Sequence, residues 1–123
     1  MKKEDALKIL DESFVMDEDY QKIPKEFWSD KDFVLKAVKK QGSSIDYADA
    51  SLKNDKEIVL QAVKNCGFSL KYASKKLRDD KDIVLNAIKS DGWALKFVGK
   101  KFFRDPEFLF QAVKYHGYAF ELL

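Results

Sequence analysis

The chain repeats itself every 25 residues, and this period limits the folds that are open to it. Aspartate recurs at Asp30, Asp55, Asp80 and Asp105, alanine at Ala37, Ala62, Ala87 and Ala112, and glycine at Gly42, Gly67, Gly92 and Gly117. A period of this size is typical of stacked helical units, so each unit is predicted to pack against its neighbours. Arrays of this kind usually bind other molecules through an extended surface.

Each unit is numbered here from its aspartate as position 1, and its first part predicts a helix of about ten residues. The aspartate suits the N-cap, where its carboxylate accepts hydrogen bonds from the first free amides. Pro106, at position 2, fits the first helical residue of the last unit. Lysine at position 10 suits the negative end of the helix dipole. Glycine at position 13 is predicted to end the helix in the left-handed conformation.

The second part of each unit predicts a shorter helix, because apolar residues at positions 16, 19 and 23 form a helical stripe. In the first full unit these residues are Ile45, Ala48 and Leu52, with Tyr47 at position 18. The predicted fold is therefore an all-α solenoid of two-helix units, forming a single domain over residues 1–123. The units are 30–54, 55–79, 80–104 and 105–123, and residues 1–29 form a degenerate, more polar N-terminal cap.

The first helix of each unit is predicted to be buried on both sides, because its apolar positions 4, 5, 6, 8 and 9 cover most of its circumference. The small alanine at position 8 lets a neighbouring helix approach closely. At the other end of the array, Phe120, Leu122 and Leu123 are apolar and no polar residue follows them. This C-terminal end is a candidate for self-association or for simple packing.

The repeat pattern D-K-[DE]-x-V-L-x-A-[VI]-K-x-x-G-x-[SA]-[LI]-x-[YF]-[AV], which is cleanest from Asp55 to Ala73, resembles a bacterial repeat family catalogued as a domain of unknown function. The resemblance covers about residues 23–123, and residues 1–22 fall outside it. It implies an all-helical repeat and no reaction. The family has no functional residues that could be assigned to positions of this chain.

Composition favours a folded chain that works inside the cell. Hydrophobic residues make up 46% and charged residues 36% of the sequence, and the net charge is +2. No apolar run approaches the roughly 20 residues that cross a bilayer, and the charged start contains no export signal. Cys66 is the one cysteine, which argues against a disulfide framework and suits a reducing cytosol. The expected location is cytoplasmic, without membrane partners.

No group of residues in the sequence predicts catalysis or metal binding. Cys66 and His116 both lie at position 12, but two units apart, which is beyond hydrogen-bond reach for packed helices. The aspartates at position 1 are explained by capping, and no glycine-rich phosphate loop or nucleophile elbow is present. We therefore expect no enzyme activity, no cofactor, and no catalytic or metal-ligating residue.

The most ordered polar surface is a stripe at positions 3, 7 and 10 of the first helix. It contains an acidic row, an amide-rich middle and a row of lysines, and stacking should align them along the array. The alternative is an ordinary solvated face. The candidate partner-binding residues on this stripe are Lys39, Lys64, Lys89 and Lys114 at position 10, and Gln61, Asn86 and Gln111 at position 7.

Two aromatic residues at position 24, Trp28 and Phe103, complete the set of candidate partner-binding residues. The middle units carry Lys53 and Arg78 at this position, which predicts partial exposure, and an exposed tryptophan is a typical interface residue. The alternative is packing against the terminal units.

Aromatic residues also follow three of the glycines, at Phe68, Trp93 and Tyr118. They are either a stacking ladder for bases or a peptide, or the hydrophobic contact of a helix C-cap. The pairs Lys39-Lys40, Lys75-Lys76 and Lys100-Lys101 could add contacts to phosphate groups.

These observations favour a small protein that binds another protein through its polar face and exposed aromatics. A second hypothesis is a phage or anti-defence inhibitor, of the anti-CRISPR type, that blocks a larger nucleoprotein complex. A third is RNA binding through the lysine row, which would weaken steeply with salt. The pI of about 8.5 and the interspersed acids favour a protein partner over a nucleic acid.

Overall fold

The structure, a computed structural model, describes residues 1–12 and 14–117. All regular elements in these ranges are helical, which confirms the predicted all-α repeat fold. The α-helices are α1 Lys3–Ile9, α2 Asp17–Gln21, α3 Lys31–Lys40, α4 Ala50–Lys53, α5 Lys56–Asn65, α6 Lys75–Arg78, α7 Lys81–Ser90 and α8 Pro106–Tyr115. The 3₁₀ helices are Lys25–Ser29, Gly42–Tyr47, Gly67–Tyr72, Gly92–Phe97 and Lys100–Arg104. Within the described ranges, no helix is long and apolar enough to cross a membrane.

Each long helix, α3, α5, α7 and α8, begins after the aspartate at position 1, as predicted. The carboxylate of Asp55 accepts hydrogen bonds from the amides of Glu57 and Ile58, at 3.0 and 3.3 Å. The equivalent aspartates of the other units cap their helices in the same way. Each of these helices is ten residues long, because the next residue takes up an extended conformation in every unit.

The long helices stack in chain order, α3 on α5, α5 on α7 and α7 on α8. The alanine at position 8 is fully buried in all four helices, which allows their backbones to approach closely. The 3₁₀ helices that begin at Gly42, Gly67 and Gly92 form a second row and pack against each other and against the long helices. The core therefore runs along the array as one continuous cluster.

The predicted second helix is not continuous. It is a 3₁₀ helix, an extended break at positions 19 and 20, and a short helical turn. At the break, the amide at position 20 donates to the carbonyl at position 24 of the preceding unit instead of within its own helix. These bonds join Asp49 to Trp28, Ser74 to Lys53 and Gly99 to Arg78, with N···O distances of 2.9, 3.0 and 3.0 Å.

The prediction of left-handed glycines is wrong, since no described glycine has a positive φ. The helix ends instead at an extended residue at position 12, such as Cys66. The glycine is needed for space: a Cβ on Gly42 would lie 2.5 Å from the carbonyl oxygen of Ala62 in the next unit. A Cβ on Gly67 would collide in the same way with the carbonyl oxygen of Ala87.

The N-terminal segment packs on the first full unit, with α1 against α3. Ala6, Leu10, Tyr20 and Ile23 bury their side chains there. At the opposite end, Phe120, Leu122 and Leu123, which were predicted either to self-associate or to close the chain by simple packing, lie outside the described residues.

Candidate partner-binding surface

The lysines at position 10 lie in the last turn of the four long helices, with their side chains exposed. They are Lys39 on α3, Lys64 on α5, Lys89 on α7 and Lys114 on α8, and we call them the lysine row. Within residues 1–12 and 14–117, none of them forms a salt bridge. The row is therefore a line of unneutralised positive charge, one per unit.

The backbone that carries the lysine row is fixed by hydrogen bonds between units. The carbonyl of Lys39 accepts from the side-chain amide of Asn65 at 3.3 Å, and the same side chain accepts from the amide of Gly42 at 2.6 Å. The carbonyl of Lys89 lies 3.3 Å from Nε2 of His116. The backbone at Lys39 and at Lys89 is thus tied to the next unit, and their side chains project into solvent.

The amide residues at position 7 lie beside the lysine row and are half-buried. Asn86 donates to the carbonyl of Asp82 at 2.8 Å, and Gln111 lies 3.5 Å from the carboxylate of Glu107. Lys64, Asn86, Lys89 and Ser90 line an open groove of about 540 Å³. The structure therefore brings three of the predicted residues, Lys64, Asn86 and Lys89, around one groove.

The acids at positions 1 and 3 are paired with the lysine at position 2 of the preceding unit, an arrangement that the sequence analysis missed. Lys31 lies 2.9 Å from the carboxylate of Asp55 and 3.1 Å from that of Glu57. The same pattern joins Lys56 to Asp80 and Asp82, and Lys81 to Asp105 and Glu107. This ion-pair ladder engages Glu57, Asp82 and Glu107 of the acidic row. The lysine row has no carboxylate partner among the described residues.

The ladder also changes the acidity of the capping aspartates. Burial tends to raise the pKa of Asp55, but the ammonium of Lys31 and the amide of Ile58 outweigh it and lower the pKa. Burial also tends to raise the pKa of Asp80, but the ammonium of Lys56 and the amide of Ile83 outweigh it and lower the pKa. For Asp30, the hydrogen bond from Lys3 and then the amide of Phe33 lower the pKa.

The prediction that Trp28 is partly exposed is wrong, because only 5% of this residue is accessible. Its ring lies edge-on to Phe33 at a centroid distance of 5.2 Å and contacts Tyr20 at 5.9 Å. These partners belong to the cap and to α3, so Trp28 is part of the core. Phe103 is exposed at 36%, in agreement with its predicted exposure, and its role in binding stays a prediction.

The aromatics after the glycines are half-exposed: Phe68 at 39% and Trp93 at 46%. The ring of Phe68 meets the edge of Phe97 in the next unit at 5.0 Å. The ammonium groups of Lys71 and Lys96 lie over Phe68 and Trp93, at 5.8 and 4.6 Å from the ring centroids. The ring of Phe68 therefore links two neighbouring units, and both rings are partly exposed to solvent. Tyr118 lies outside the described residues.

The chain was compared with protein families, curated proteins and solved structures. The family described as "Domain of unknown function (DUF4116)" matches residues 3–53, 30–78, 55–103 and 80–123. These windows overlap and start about 25 residues apart, as expected for a tandem repeat. The match begins at residue 3, so the earlier placement of residues 1–22 outside the family is wrong. No curated protein and no solved structure matches the chain significantly.

Proposed function

The chain belongs to the DUF4116 repeat family, and we propose that it is a non-catalytic, cytoplasmic protein-binding module. Its lysine row and the groove beside Asn86 contact an acidic surface of a partner protein. The observation that carries this proposal is the unequal pairing of the lysines. Lysines at position 2 pair with carboxylates between units, whereas those at position 10 are exposed and form no salt bridge with any residue that the structure describes.

The arrangement suits recognition of an extended partner. The ion-pair ladder pairs its lysines with carboxylates, whereas no described carboxylate forms a salt bridge with the lysine row. The lysine row therefore presents one sign of charge along several units. Regularly placed charge of this kind increases the rate of encounter with a complementary surface and fixes its register. Each exposed lysine adds little affinity alone, so binding is expected to depend on several units together.

A capture experiment with matched variants tests this proposal. The tagged chain is incubated with lysate of its own host after nuclease treatment, and retained proteins are identified by crosslinking mass spectrometry. The K64Q/K89Q variant removes two charges from the groove, and K8Q/K25Q removes two exposed lysines from the cap. The partner's Kd is expected to rise about five- to tenfold for K64Q/K89Q at 0.15 M salt and to stay within about twofold for K8Q/K25Q.

Two outcomes would contradict the proposal. Equal weakening by both variants would show that net charge, rather than the lysine row, controls binding. Loss of all retention after nuclease treatment would favour RNA binding, which a steep decrease in affinity with salt would then establish.

A further inference from the structure

A second basic site lies between the later segments of two neighbouring units, at residues that the proposed partner surface does not use. An open cleft of about 430 Å³ separates α6 from the 3₁₀ helix Lys100–Arg104. This volume lies in the range of small-molecule sites. The cleft is lined by Lys75, Arg78, Asp79, Phe97, Val98, Gly99, Lys100 and Lys101.

The cleft has a strong excess of positive charge. Four of its side chains are cationic and one is a carboxylate, which leaves a surplus of three charges. None of the four cations forms a salt bridge with any residue in the described ranges. Since like charges held together repel, an anion in the cleft would relieve this repulsion.

The backbone of Arg78 is anchored by a hydrogen bond between units. Its carbonyl accepts this hydrogen bond from Gly99 at 3.0 Å. Its Nε atom is buried and has no acceptor within the part of the chain that the structure describes. A guanidinium group binds phosphate or carboxylate oxygens through paired N–H donors. An oxyanion in the cleft would meet the terminal nitrogens of the guanidinium, and Nε would gain an acceptor through a shift of the Arg78 side chain.

Gly99 makes this cleft different from the equivalent junction one unit earlier. There, Ser74 caps the following turn and its hydroxyl lies 2.7 Å from the side-chain oxygen of Asn54. Gly99 has no side chain for either contact, and the carboxylate of Asp79 lies where a Cβ on Gly99 would be. The preceding junction also carries Ala50 where the cleft has Lys75. The preceding junction has the same surplus of three positive charges, from Lys53, Lys75 and Lys76. The cleft differs from it by Gly99 and by the arginine at position 24.

We propose that this cleft binds a small molecule with two or three linked phosphate groups, such as inorganic pyrophosphate or a nucleoside di- or triphosphate. Such a ligand concentrates about three negative charges in a small volume, which matches the surplus charge of the cleft. A single-stranded nucleic acid carries one charge per nucleotide, so only part of this surplus would be neutralised. An acidic peptide has the same limitation, because each carboxylate brings a bulky backbone segment.

Calorimetric titration of the full chain with pyrophosphate, ADP and orthophosphate at low salt tests the proposal. One pyrophosphate is expected to bind per chain, at least about tenfold more tightly than orthophosphate. R78Q is expected to raise the pyrophosphate Kd at least about tenfold. R78K, which keeps the charge but loses the paired donors, should weaken binding less than R78Q. A lower Kd for ADP than for pyrophosphate would identify a nucleotide as the source of the phosphates.

Gly99→Ser restores the residue type of the preceding unit and should weaken pyrophosphate binding, because the added side chain occupies part of the cleft beside Asp79. K64Q/K89Q is the matched control and should leave this binding within about twofold of the unmodified chain. Melting curves of each variant confirm that it is folded. Because the two sites share no residue, this proposal and the proposed function can fail separately.

Three results would overturn the proposal. The first is no binding heat at a few millimolar pyrophosphate. The second is equal weakening by K64Q/K89Q and R78Q, which would show diffuse attraction. The third is tighter, R78Q-sensitive binding of an oligouridine RNA or of a glutamate-rich peptide, which would assign the cleft to a macromolecule.

Discussion

Gly67→Ala is expected to destabilise the chain strongly, although it adds one methyl group. The new Cβ would collide with the carbonyl oxygen of Ala87 and lie 2.9 Å from the amide nitrogen of Asp91. Both obstacles are backbone atoms, so α7 would have to move away from the 3₁₀ helix Gly67–Tyr72. This separation also weakens the 3.1 Å hydrogen bond from the Gly67 amide to Ser90.

The magnitude follows from these two effects. Overpacking of a tight contact costs about 1–3 kcal/mol, and a lost hydrogen bond about 0.5–1.5 kcal/mol. We expect a loss of about 3 kcal/mol in the free energy of unfolding. With about 2.1 cal/mol/K of unfolding entropy per residue over 123 residues, the melting temperature should fall by about 12 °C.

Gly117→Ala is the matched control, because it changes the same position of the repeat where an added Cβ meets no atom of the described residues within 4 Å. Thermal unfolding followed by circular dichroism should show a melting temperature close to that of the unmodified chain. A change below about 2 °C for Gly67→Ala, or equal losses for both variants, would refute the close-approach explanation of these glycines.

Three further predictions concern the ladder and the core. Asp80→Ala removes an N-cap and an ion pair, and should lower the free energy of unfolding measured in urea by about 1–2 kcal/mol. Lys56→Ala removes only the exposed ion pair and should lower it by less than about 1 kcal/mol. Equal losses in the two variants would contradict the capping role of Asp80. The pKa values of Asp55 and Asp80 are lowered in the folded chain, so the stabilisation from their charged forms is present above about pH 4 and is lost as the pH falls through the lowered values. The urea midpoint should therefore be lower at about pH 3 than at about pH 6. The difference between the two pH values should be smaller in Asp80→Asn, which has no carboxylate to titrate at this position. Ala62→Leu should overpack the fully buried site between long helices and cost about 1–3 kcal/mol, and an unchanged melting midpoint would refute that placement.

The start of each long helix could be predicted from the sequence because capping is local. Asp55 contacts amides only two and three residues further along the chain, so the spacing of residue types contains the necessary information. The buried stripe on each helix was predictable for the same reason. Helical periodicity fixes which side chains share a face, whatever neighbour covers that face.

The features that were wrong or missed depend on contacts between units. Glycine at position 13 was predicted to form a left-handed helix cap, which is the usual local explanation. In the structure, glycine is needed there because a carbonyl oxygen of the next unit leaves no room for a Cβ. Trp28 resembled an exposed residue because Lys53 and Arg78 share its position. Tyr20 of the cap and Phe33 of α3 contact its ring, and the later units carry aliphatic residues at the position of Tyr20.

The candidate surface shows the same division. The lysine row and the amides beside it were found from the period alone. The difference between these lysines and the lysines at position 2 could not be predicted, because the sequence contains both sets at equal intervals. Only the stacking shows that Lys31 reaches Asp55 and Glu57 of the next unit, while Lys64 reaches no described carboxylate.

The sequence by itself determined the period, the helical class, the N-caps and the buried face of each unit, since these follow from interactions between residues a few positions apart. The tertiary structure decided how the units meet: the broken second helix, the close approach at Gly42 and Gly67, the ion-pair ladder and the cleft beside Gly99. The physical reason is that residues about 25 positions apart become neighbours only when the units stack, and the offset between stacked units selects which charges and backbone groups pair.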